Sequence, residues 1–258
     1  MTVITTTVED GVAVITLNRP QARNALNSEL LAALPKTMTA CDIDPDVAAI
    51  VLTGADPAFC AGLDLKELGS SGGNIRGGRV DAGATYSSPW PAMTKPVIGA
   101  VNGAAVTGGL ELALNCDFLV ASERARFGDT HTRVGILPGW GLSVLLPQAI
   151  GLRRAKEMSL TGNFLTAEEA FHFGLVNHVV AHDQLVATAT AIGRDIASND
   201  AAAVQALLAS YKRIAATTVG EGLAIEAEVA REWQGRTFDP GEVERRRQGI
   251  LERGRAQP

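Results

Sequence analysis

Glu111 stands three residues after Gly108 in Asn102-Gly103-Ala104-Ala105-Val106-Thr107-Gly108-Gly109-Leu110-Glu111-Leu112. On a helix that spacing sets carboxylate and glycine on one face, one turn apart. An earlier segment, Ala58-Phe59-Cys60-Ala61-Gly62-Leu63-Asp64-Leu65-Lys66, has the same build, a buried strand feeding a glycine-bearing turn and then a helix. Such a helix start leaves backbone N–H groups unpaired, and these favour negative charge. Two such starts facing each other would make an oxyanion hole, with Glu111 beside it to move a proton. The plainer alternative is that Gly103, Gly108 and Gly109 only permit close helix–strand packing and that Glu111 is a helix-start charge.

The surrounding elements are those that could hold two such turns. Val12 to Asn18 reads as a strand ending at Arg19-Pro20, and a helix should follow, capped by Asn27 or Ser28, with Leu30, Leu31, Leu34 and Met38 inward and Pro35 bending it. Val47 to Thr53 is a continuous apolar run, as a strand buried on both faces would be. Further strands are expected at Lys95–Val101 and Cys116–Ala121. Strand, helix, strand in that order predicts an α/β core. Gly69 to Gly78 reads as a mobile loop that could lie over a site. After Trp140 the pattern turns helical, with Thr166-Ala167-Glu168-Glu169 matching a capping box and alanine-rich amphipathic stretches from Asp183 onward.

The 258 residues, 46% hydrophobic and 20% charged, suffice for one large core or a core with an appendage. A formal charge of -5 offers no diffuse basic field, which argues against a nucleic-acid partner. Cys41, Cys60 and Cys116 are odd in number and widely spaced, arguing against a disulfide framework or a paired-cysteine metal site. The N-terminus lacks a secretory pattern and no apolar stretch is long enough for a bilayer, so no membrane partner is expected and the cytoplasm is the expected compartment. His178 and His182 have helical metal-ligand spacing but fall on a strand-like stretch, so no metal is expected.

Together, Phe59 to Asp64 and Lys95 to Glu111 resemble the crotonase (enoyl-CoA hydratase/isomerase) superfamily. The resemblance extends through Asn18-Arg19-Pro20, Arg23 to Asn27, Cys116-Asp117, Ala125 to Gly128, Gly135 to Gly139 and Leu160-Thr161-Gly162. It implies an α/β fold, a crotonase-like spiral of ββα units over residues 1–195 with a helical C-terminal trimerisation region at 196–258, assembled as a homotrimer or a dimer of trimers. It implies that the backbone N–H groups of Leu63 and Gly108 bind a thioester oxygen. Substrate and coenzyme A contacts fall by the same resemblance on Arg23, Ala25, Ala61, Asp64, Leu65, Lys66 and Trp140, and on Arg253 in a C-terminal segment reaching a neighbouring subunit. No cofactor is implied, since coenzyme A arrives as part of the acyl-CoA substrate.

The implied activity is hydration of a trans-2-enoyl-CoA. Hydratases of this family usually carry a second glutamate after Phe-Gly, and in Phe127-Gly128-Asp129-Thr130-His131 that position is His131. A Glu111/His131 pair can divide the base and acid roles, although Asp129 could supply the carboxylate instead, or His131 could merely line the pocket. Glu111 is expected in an apolar pocket made by Leu63, Leu110 and Ile136. Isomerisation, hydrolysis or decarboxylation of acyl-CoA are same-fold alternatives, and a non-catalytic acyl-CoA-binding protein is the alternative of another class.

Overall fold

A computed structural model of the chain describes residues 2–76, 87–215 and 217–234, with isolated positions at 241, 244, 246, 247, 252 and 255. The chain divides into two compact units, residues 1–205 and residues 206–258.

The first unit opens with an antiparallel pair, β1 (Ile4–Glu9) and β2 (Val12–Leu17). Helix α1 (Ser28–Ile43) follows, its N-terminus capped by Asn27, whose side-chain oxygen accepts from Leu30 N. Leu30, Leu31, Leu34 and Met38 are buried, and Pro35 lies within the helix.

Three units of one plan come next. β3 (Ala49–Gly54), β4 (Ala58–Cys60) and α2 (Leu65–Ser70) form the first, with a short α3 (Gly73–Arg76) after it. β5 (Val97–Val101), β6 (Ala104–Val106) and α4 (Gly108–Leu114) form the second. β7 (Phe118–Ser122), β8 (Arg126–Gly128) and α5 (His131–Val134) form the third. The first strand of each enters a six-stranded sheet of order β1-β2-β3-β5-β7-β10, and the second enters a four-stranded sheet of order β4-β6-β8-β9. This is the expected spiral of ββα units. It is completed by α6 (Leu142–Ile150), α7 (Leu152–Thr161), β9 (Phe164–Thr166), α8 (Ala167–His172), β10 (His178–Val180) and α9 (Leu185–Ala197). The capping box at α8 is formed, with Thr166 and Glu169 bonding reciprocally.

The large sheet is covered on both faces, which is why its strands read as apolar runs. On one side Val12, Val51, Ile98 and Val120 pack with Leu185 and Ala189 of α9. On the other, Ile15, Ile50, Leu52 and Val101 join Leu30, Leu34 and Met38 of α1 together with Phe59, Leu110 and Phe127. α10 (Ala201–Ile214) runs across the boundary of the two units, and the second contains α11 (Val219–Gln234), tied to it by an Arg213–Glu228 ion pair.

Three sequence expectations need amendment. β1 is an additional strand, an exposed threonine-rich edge with no periodic apolar signal. The three-residue strands β4, β6 and β8 are also additional, being too short to show a period. The expected loop from Gly69 to Gly78 is helical through residues 69–70 and 73–76, because Asp64 caps α2 by accepting from Lys66 N and Glu67 N. Ser71 and Gly72 close α2, their N–H groups donating to Glu67 O, and residues 77 and 78 lie outside the described ones.

Candidate active site

Steric requirements at three glycines bring the two turns together. A methyl on Gly109 would sit 2.0 Å from the Cys60 carbonyl oxygen, so only glycine lets α4 lie directly on β4. Gly62 has φ +87, a left-handed conformation that side chains resist, and a methyl there would meet Val106 O at 2.8 Å and Gly108 N at 3.4 Å. A methyl on Gly108 would lie 3.9 Å from Leu63 N. The amides of Leu63 and Gly108 are thus neighbours, and neither donates to any acceptor among the described residues. Leu63 is fixed by its bridge to Leu26, in which Leu26 N donates to Gly62 O and Asp64 N donates to Leu26 O. The spacing therefore places two open donors on one edge of a cleft of about 580 Å³.

Glu111 lies in the first turn of α4, almost fully buried at 3% exposure. Its Oε1 accepts from Gly139 N at 3.0 Å and Trp140 N at 2.6 Å, two charge-assisted bonds that fix the carboxylate plane. Oε2 remains for chemistry and lies 3.5 Å from His131 Nε2. His131 is equally buried, at 4% exposure. Its Nδ1 bonds Asp129 Oδ1 at 2.6 Å, and the same oxygen accepts from His131 N at 3.1 Å.

The expected pair is therefore a row of three, Asp129, His131 and Glu111. Asp129 is not a substitute carboxylate in the cleft but the group behind the imidazole. Burial alone would lower the His131 pKa, yet the hydrogen bonds to Asp129 and Glu111 and the charges of both outweigh it and raise the value to about 9. Desolvation pushes the Asp129 carboxyl up, and the bonds from His131 and Ser159 overcome it, holding the group below the ordinary range. At neutral pH the centre of the row is an imidazolium between two carboxyl groups.

The cleft is lined by Leu63, Gly108, Glu111 and His131 and walled by Ile136, Leu137 and Trp140. Trp140 serves twice, since it lines the space and its backbone N–H holds Glu111. Leu110 departs from expectation. It points into the core rather than the cleft, as the residue next to Glu111 on a helix must turn away from it.

The expected coenzyme A contacts cluster on the Leu63 side without lining the cleft. Arg23 is exposed and its carbonyl accepts from Ala61 N. Ala25 is buried, with its carbonyl bonded by the Arg19 guanidinium. Asp64 pairs with Arg19 at 2.9 Å while capping α2, and Leu65 and Lys66 are exposed on the first turn of that helix. Partial burial opposes ionisation of Asp64, but the bonds from Arg19 and from the N–H groups of Glu67 and Lys66 prevail and keep its pKa low. Arg253 lies outside the described residues. Sequence reasoning missed the amides of Gly139 and Trp140, which carry no side-chain signature, and Arg19, whose place in Asn18-Arg19-Pro20 was the available signal.

A family model described as enoyl-CoA hydratase/isomerase matches residues 7–256. A probable peroxisomal enoyl-CoA hydratase of Arabidopsis thaliana is 39% identical over 220 residues, covering 85% of this chain and 82% of that protein. A short-chain-enoyl-CoA hydratase of Clostridium acetobutylicum is 38% identical over 222 residues, covering 85% of each. Among solved structures, an enoyl-CoA hydratase from Mycobacterium smegmatis is 51% identical with a TM-score of 0.75, covering 91% of this chain and 99% of that one. One from Bacillus anthracis is 32% identical with a TM-score of 0.82, covering 96% of each. With its strands wound as ββα units and a matching family model over nearly its whole length, this chain belongs to the enoyl-CoA hydratase/isomerase family.

Proposed function

We propose that this protein adds water across the double bond of a trans-2-enoyl-CoA thioester. The observation that carries the reading is the contact of Glu111 and His131 within a cleft whose edge presents the open amides of Leu63 and Gly108. Glu111 Oε2 takes a proton from water, and the water oxygen bonds to the β-carbon. The π electrons move through the α-carbon onto the thioester oxygen, where the two N–H groups stabilise the enolate, each donor lowering the barrier by about 3 kcal/mol. The imidazolium of His131 then gives its Nε2 proton to the α-carbon, yielding a 3-hydroxyacyl-CoA. Glu111 is left protonated and His131 neutral. The proton returns from one to the other across their 3.5 Å contact, restoring the starting state.

Asp129 acts behind this exchange, holding the imidazole ring and favouring its cation. Coenzyme A belongs to the substrate, with Arg23, Ala25, Ala61, Asp64, Leu65, Lys66 and Arg253 as its proposed contacts. Assembly as a trimer or a dimer of trimers is part of the same reading, supported by exposed apolar residues of the second unit, Leu207, Tyr211, Val219 and Leu223, that need cover.

The test is incubation with crotonyl-CoA and longer enoyl-CoA thioesters in isotopically labelled water. Loss of the conjugated thioester absorbance with label at the β-carbon is expected. Wild-type protein that shifts a double bond or releases coenzyme A without placing the water oxygen on the β-carbon would replace hydration with one of the other enolate reactions.

A further inference from the structure

Thr107, between β6 and the oxyanion donor Gly108, has φ 54 and ψ -113. That is the conformation of the first central position of a type II′ turn, which glycine adopts freely and a β-branched residue resists. A threonine persists there only if its surroundings over-determine it. They do: Thr107 N donates to Gly128 O at 2.9 Å, and Thr107 O accepts from Glu111 N at 3.0 Å. Its hydroxyl bonds the Thr130 hydroxyl at 2.6 Å and accepts from Thr130 N at 3.3 Å. Thr107 is 5% exposed, and a methyl on Gly62, the residue before the other oxyanion donor, would touch its Cβ at 3.2 Å.

Each end of this hydroxyl pair is one residue from a group that acts in the proposed reaction. Thr107 precedes Gly108, which receives the thioester oxygen, and Thr130 precedes His131, which protonates the α-carbon. Those two groups sit on different ββα units, and β6–β8 pairing ends at Val106 and Gly128, short of both. The hydroxyl pair continues the connection past the last strand residues.

We infer that Thr107 and Thr130 are positioning residues, a hydroxyl clasp that holds the oxyanion donor Gly108 in register with the proton donor His131. The inference rests on the hydration reading for its catalytic consequence, but the clasp itself has a readout independent of turnover.

Removing the hydroxyl while keeping the side-chain shape, in Thr107→Val or Thr130→Val, lowers kcat about 10-fold or more with KM changed less than threefold. The double variant is no worse than Thr107→Val, because that variant already loses both bonds of the clasp. Thr107→Ser retains near wild-type kcat. Thr107→Gly separates activity from folding: glycine accepts the backbone conformation, so thermal stability is held while kcat still falls.

Hydrogen exchange in residues 104–112 of Thr130→Val supplies the second readout, since the substitution lies on another element. Faster exchange there with reduced kcat is the expected result. Unchanged exchange, or Thr107→Gly and Thr130→Val turning over as fast as an active wild type, overturns the clasp while leaving hydration standing. Faster exchange in a protein that hydrates no enoyl-CoA upholds the clasp and removes the proposed function.

Discussion

Glu111 Oε2 and His131 Nε2 stand 3.5 Å apart in a buried row that Asp129 completes. That contact suits the proposed hydration, in which Glu111 takes a proton from water and the His131 imidazolium delivers one to the α-carbon. The arrangement replaces two carboxyl groups, which cannot both be ionised at short range without cost, by an oppositely charged pair.

Glu111→Gln keeps an acceptor for the amides of Gly139 and Trp140 and so leaves the local fold in place, but it removes the proposed base. The expected loss in kcat for crotonyl-CoA is about 100- to 10,000-fold, with the thermal midpoint within a few degrees of wild type. Turnover at the wild-type rate would exclude Glu111 from the proton transfer.

The raised His131 pKa fixes the sign of the pH dependence. Activity that needs the imidazolium is full at neutral pH and declines as pH rises through about 9. Asp129→Asn removes one of the two groups that favour the cation, so the alkaline limb of kcat/KM moves toward neutrality. A limb unmoved by that change would show that another group titrates there. Stability follows the same direction. The folded pKa is above the ordinary value of 6.5, so the contribution of His131 is complete below that pH and is lost as pH climbs through about 9. Denaturant unfolding of wild type and His131→Gln across this range gives the check, the difference between them narrowing at alkaline pH.

Glycine substitutions separate folding from the oxyanion site. Gly109→Ala drives a methyl into the Cys60 carbonyl at 2.0 Å, a backbone atom that cannot step aside, and should destabilise by about 3 kcal/mol or fail to fold. Gly108→Ala meets only the Leu26 Cδ1 methyl at 3.1 Å, which can rotate, but places its own methyl beside Leu63 N. It should fold and lose kcat. Equal thermal midpoints and equal activities for the two variants would contradict this placement of α4.

Asn24 is an unadvertised support for the same region. It is fully buried at φ 55, its side-chain N–H groups donate to Ala55 O and Ala58 O, and its Oδ1 accepts from Arg19 N. Asn24→Ala strands those groups in the interior and should cost on the order of 3 kcal/mol in denaturant unfolding. A cost within a few tenths of a kcal/mol would mean that the turn repacks freely.

The legibility of the chain followed the length of its signals. β3 and β5 were evident as apolar runs because strands covered on both faces need no polar alternation, and α1 and α8 announced themselves through Asn27 and through Thr166 with Glu169. β4, β6 and β8 left no periodic trace, since three residues define no period and their pairing is decided by neighbours distant in sequence.

The sequence by itself determined that Glu111 follows a glycine turn at helical spacing, that a similar turn lies at Gly62-Leu63, and that a histidine occupies the place of the expected second glutamate. Tertiary structure alone decided what that histidine is. Residues two apart in the chain, Asp129 and His131, share a proton only because the backbone folds into the start of α5, and Glu111 reaches the ring only because parallel pairing of β6 and β8 sets the two segments side by side. A pKa depends on distances and burial, which no motif encodes until the chain has closed around them.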